Sequence, residues 1–135
     1  MTRAVHPLLR GMALSVLAAH AAFALPSTPW QQAEMFAVCS GRLSALSVHE
    51  QANRKAGHAE TEAHRQTFEA LLEATMPAAI EHGVPENQAG VWRSNGWVEI
   101  AGLLADANYS MDAKRADRAE AELKQRIATC RDMVL

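Results

Sequence analysis

Five side chains in this sequence, His49, Glu50, Glu60, His64 and Glu120, combine the residue types that hold a divalent transition metal. Imidazole and carboxylate together suit zinc, copper, nickel or iron. Other chemistries find less support. No Glu-x-x-His occurs, so the signature of a bundle di-iron centre is missing, since Glu60 and His64 stand four apart. No Cys-x-x-Cys-His is present for covalent haem attachment. No serine sits in a Gly-x-Ser-x-Gly elbow, and Glu50 with Glu120 lacks the aromatic platforms that a sugar would need. Met35, Met76, Met111 and Met133 are too scattered for a copper(I) site and read as packing residues. No catalytic residue is assigned, and no cofactor is expected beyond that one candidate metal.

The two cysteines, Cys39 and Cys130, are the only ones in the chain. The N-terminal segment suggests where they live. Arg3, His6 and Arg10 precede the apolar run Met12–Ala24, which ends in the small-x-small sequence Ala22-Phe23-Ala24. This reads as a signal peptide over residues 1–24, with an alternative cut after Ala21. The run is too short to cross a bilayer of ~30 Å, and Pro26 and Pro29 interrupt its extension, so no stable membrane insertion is expected after cleavage. No cysteine lies just behind the cut to accept a lipid. Residues 25–135 should then form a single domain in the periplasm or outside the cell, where two cysteines pair. Removing Arg3 and Arg10 from the 13 basic side chains leaves 11 against 15 acidic ones, a net charge of minus four, which argues against nucleic acid as a partner.

Alanine-rich composition with few aromatic or β-branched residues favours packed helices. Helix A is predicted from Pro29 to about Gln51, with Thr28 and Gln31 as a capping box and Met35, Phe36, Cys39, Leu43 and Leu46 on one face. After the turn Asn53–Gly57, helix B starts near His58 and carries Phe68, Leu71, Leu72 and Thr75; Pro77 should kink or end it. Helix C is expected from about Pro85 to Ala107, with Trp92, Gly96, Ile100 and Leu103 in a narrow arc. Helix D should begin at an Asp112 cap and bury Ala116, Ala119, Leu123, Ile127 and Cys130. Four amphipathic helices joined by short turns predict an all-α, antiparallel, up-down-up-down four-helix bundle closed by one disulfide.

A Cys39–Cys130 bond sets the register of helices A and D, placing Leu43 beside Ile127, Leu46 beside Leu123, and Glu50 level with Glu120. The A-to-B turn brings Glu60 and His64 to the same end. Two readings of that end follow: a hydrogen-bonded or solvated polar terminus, including a pH-responsive Glu50–His64 pair, or the metal site above. Ala113, Ala116 and Ala119 narrow helix D there, leaving either a close helix contact or a cavity. On helix C, Trp92 reads as core, and Trp97 with Arg93 reads as a partner-binding pair. The Cys39–Ala45 run looks like a motif without an evident activity. The function expected from these features is a non-enzymatic interaction or accessory module with an envelope protein partner; the alternative is a metal- or small-ligand-binding bundle.

Overall fold

The computed structural model describes residues 28–134; the leader read over residues 1–24 and its cleavage sites lie outside them. The chain forms four helices, α1 (Pro29–Ala52), α2 (His58–Glu81), α3 (Gln88–Tyr109) and α4 (Ala113–Arg131), and the described residues contain no strand.

Local chemistry accounts for most of the boundaries. Thr28 is extended and Pro29 occupies the first turn, where a missing N–H costs nothing. The expected capping box does not form: the Thr28 hydroxyl donates to Gln31 Oε1 at 2.6 Å and caps no backbone N–H. Asn53 closes α1 with its side-chain amide on the His49 carbonyl, and Arg54 turns the chain with a φ of 53°. Helix α2 runs through Pro77 to Glu81. It ends at Gly83, whose φ of 92° suits glycine, with Gly83 N–H on the Ile80 carbonyl and Val84 N–H on that of Ala79. That is the double closure of a Schellman motif. Helix α3 begins three residues after Pro85, and Asp112 caps α4 by accepting from the N–H groups of Lys114 and Arg115.

Helix α1 occupies the centre. It buries Ala33, Phe36, Ala37, Cys39, Ser40, Gly41, Leu43, Ala45 and Ser47, which lie around most of its circumference. Phe36 meets Phe68 of α2 with ring centroids 6.2 Å apart, and Leu72, Trp92, Ile100, Leu104 and Ile127 fill the remaining core. A square bundle would set α3 diagonally across from α1. Instead α1 packs extensively on both α2 and α3, whereas α4 rests mainly on α3 and meets α1 over a short stretch.

Two glycines explain the close α1–α3 pair. A Cβ on Gly41 would stand 2.0 Å from the Arg93 carbonyl oxygen, and one on Gly96 would stand 2.2 Å from that of Val38. Each helix therefore sets backbone against backbone, which no side chain at either position would permit.

The Cys39–Cys130 disulfide is present, with Cα atoms 5.6 Å apart and both residues buried. The placements along α1 and α4 agree with the register inferred from it. Leu43 and Ile127 belong to one core cluster, Leu46 and Leu123 line two grooves together, and Glu50 and Glu120 border one of them.

Candidate functional site

The polar end of the bundle is open rather than tightly packed. A groove of about 500 Å³ lies between the ends of α1, α3 and α4, lined by Leu46, His49, Glu50, Leu104, Glu120 and Leu123 among others. A neighbouring one of about 460 Å³ includes Glu50, Glu60, Ile127 and Arg131. Ala113, Ala116 and Ala119 line neither groove, whereas Glu50 borders both.

The five candidate ligands are not gathered around one point. Glu120 is exposed and bound to Lys124 at 2.6 Å, and that ammonium holds its carboxyl below the usual carboxylate range. His49 turns its Nδ1 toward the Asn53 amide at 3.4 Å. Glu60 is exposed, and His64 borders neither groove. The Glu50 carboxylate lies over the α1–α2 turn beside Gly57. Glu50 Oε2 and His64 Nδ1 are buried without a hydrogen-bond partner. Among the described residues, no group of three His, Cys, Asp or Glu side chains is placed to hold a metal ion. A shared axial level and the positions of Glu50 and His64 on their helices' apolar stripes do not bring the five side chains to one point.

A second polar region, unforeseen in the sequence, lies along the seam between α1 and α2. The buried Ser47 hydroxyl donates to Glu62 Oε2 at 3.2 Å and also lies 3.2 Å from His58 Nδ1. Serine, histidine and glutamate are the residue types of a nucleophilic triad, but here the carboxylate touches the serine rather than the histidine. No base is oriented by an acid, and the hydroxyl is only 5 % exposed in its residue. Arg65 grips Glu62 through Nε and Nη2, and these hydrogen bonds, opposed by burial, hold the Glu62 carboxyl down at about 2.

Two turns further along the seam, Glu69 accepts from Ser40 and pairs with Arg93 of α3 at 3.1 Å. Ser40, Ser44, Arg65, Glu69, Arg93 and Trp97 border a shallow cleft of about 220 Å³ here. Both residues assigned to partner binding thus border one cleft: Arg93 is engaged in an ion pair between helices, and Trp97 stands 44 % exposed.

These contacts also account for the Cys39–Ala45 run. Cys39 binds α4, Ser40 binds Glu69 of α2, Gly41 receives the backbone of α3, Arg42 pairs with Glu99 of α3 at 2.7 Å, and Leu43 enters the core. Within this one segment α1 touches all three other helices. An isolated glycine within a strongly helical pattern was the available signal for it.

The remaining feature is the outward face of α3. Val91, Val98 and Tyr109 are 48, 63 and 79 % exposed, and Asn95, Gly102 and Ala105 complete the same stripe at helical spacing. Val48 of α1, also exposed, borders this face across a shallow groove shared with Ala101 and Tyr109. No helix among the described residues is long and apolar enough to cross a membrane. The chain matches no protein-family model, no curated protein and no solved structure.

Proposed function

We propose that this protein is an exported, non-enzymatic interaction module of the periplasm or extracellular space, which meets a protein partner through the outer face of α3. One observation carries the reading: a stripe with three large apolar side chains lies outward on a helix whose inner side is already fully packed. Single exposed apolar residues are ordinary on a protein surface, but several aligned along one helix mark an interaction site. Trp97 lies outside the stripe, on the flank of α3 at the cleft shared with α1 and α2, where it offers a neighbouring exposed aromatic side chain of the kind that anchors interfaces. The disulfide and the leader expected over residues 1–24 support an oxidising compartment.

The test is covalent capture in the native envelope, comparing the wild-type chain with Val98→Glu and Trp97→Ala. A partner cross-linked in stoichiometric yield by the wild type and lost in Val98→Glu is the expected result. Equal capture by the wild type and both variants would remove α3 from the interaction.

A further inference from the structure

Resting on the reading of α3 as the interaction face, we infer that its partner includes a second copy of this chain, bound through α3 in an antiparallel, twofold-symmetric helix pair. The first observation concerns charge. Helix α3 carries only three charged residues, and each turns to another helix: Arg93 to Glu69 of α2, Glu99 to Arg42 of α1 and Arg126 of α4, and Asp106 to Arg115 of α4. The outer stripe is left uncharged from Val91 to Tyr109, about 27 Å of helix. A charged face juxtaposed with its own copy would confront like with like. An uncharged one does not, even on a chain of negative net charge.

Glycine supplies the second observation. Gly96 is demanded by the backbone of α1, but a Cβ on Gly102 would meet nothing within 4 Å. A glycine in the middle of a helix costs about 0.5–1 kcal/mol relative to alanine, and nothing inside this chain requires it at that position. Gly90, near the start of α3 and off the stripe, is equally open, but Gly102 lies within the stripe at mid-helix, where it leaves room for another helix to approach as Gly41 and Gly96 do between α1 and α3.

The third observation is the symmetry of the stripe. In an isologous pair each residue meets its mate's counterpart reciprocally. With the twofold axis at the level of Ile100, Val98 faces Gly102 of the other copy, Asn95 faces Ala105, and Val91 faces Tyr109. At the centre, the larger side chain on each helix meets the gap on the other. Of the registers that the seven-residue repeat of the stripe allows, this one pairs all six positions. A single helix face is smaller than the ~800 Å² per partner of a standard interface, so a reversible dimer is expected, with a dissociation constant between roughly 1 µM and 1 mM.

Sedimentation equilibrium of the disulfide-bonded protein across that concentration range tests the proposal. The wild type should pass from monomer to dimer. Val98→Glu and Gly102→Leu should stay monomeric and folded, because both positions are open to solvent and leucine favours helix over glycine. Ala121→Glu on the outer side of α4 should dimerise as the wild type does. An equimolar mixture of Val98→Cys and Gly102→Cys chains should cross-link between unlike chains in preference to either chain with itself. A wild type that is monomeric throughout overturns self-association while leaving capture of a different protein by α3 intact. Dimers that persist in Val98→Glu and Gly102→Leu also overturn the proposal, by placing the contact on another face.

Discussion

Helices α3 and α4 are attached to α1 by opposite means. The α1–α3 contact is backbone on backbone through Gly41 and Gly96, and it continues into a core containing Trp92, Ile100 and Leu104. Helix α4 buries only Ala119, Ile127 and Cys130. It is held by the disulfide, by Arg126 on Glu99 at 3.0 Å and by Arg131 on Thr61 of α2 at 3.2 Å. One attachment depends on the absence of atoms and the other on a covalent bond. A small domain with a modest core can thus hold a strongly polar fourth helix without giving it much apolar surface.

The difference is sharpest in the response to substitution. Gly41→Leu should cost more than about 4 kcal/mol, because its Cβ would overlap a carbonyl oxygen that cannot move without displacing α3. With typical domain stabilities of about 5–15 kcal/mol, the variant should be largely unfolded or molten by near-UV circular dichroism. A native spectrum and melting temperature would break the contrast.

Removing the staple is the next largest perturbation. The bond closes a loop with a sequence separation of 91, and the double variant Cys39→Ala, Cys130→Ala should lose about 2–5 kcal/mol. Hydrogen exchange should rise first and furthest in α4, while α1 and α3 keep their protection. Uniform acceleration over all four helices would mean that α4 is as integral as α3.

Helix α2 offers a third mode of attachment, with apolar packing edged by a polar seam, and here the effect should be smallest. Glu62 titrates at about 2, below its ordinary 4.5, so its folded-state carboxylate contributes stability that is complete above pH ~4.5 and lost as pH falls toward 2. Its side chain is 32 % exposed, and solvent limits the contribution to under about 1 kcal/mol. Urea midpoints measured from pH 6 to 2.5 should converge for wild type and Glu62→Gln as the pH drops. A constant gap between them would assign the seam no part in acid sensitivity.

Helix number, the Asp112 cap, the disulfide and the α1–α4 register were legible in the sequence, because each follows from spacing along one chain direction. Helical period identifies a face, and two cysteines on facing stripes then identify a level. What spacing does not contain is where each long side chain turns and which local partner it takes. Glu50 and Glu120 do share a level, yet Glu120 turns to Lys124, and His64 lies outside the grooves that Glu50 borders. The α1–α3 approach was hidden for another reason: a glycine inside a helix signals weak propensity and close packing equally, and only the neighbouring backbone distinguishes them. Gly96 and Gly102 share one helix and one residue type, and their surroundings are opposite.

That pair gives the most direct test of how α3 divides its two faces. Thermal unfolding of Gly96→Ala and Gly102→Ala, measured side by side at a concentration low enough to keep the chain monomeric, should move in opposite directions. Alanine at 96 must push α1 and α3 apart and should lower the melting temperature by many degrees. Alanine at 102 gains helix propensity in open space and should raise it by a few degrees. Shifts of the same sign would contradict the account, since both glycines would then serve the same purpose.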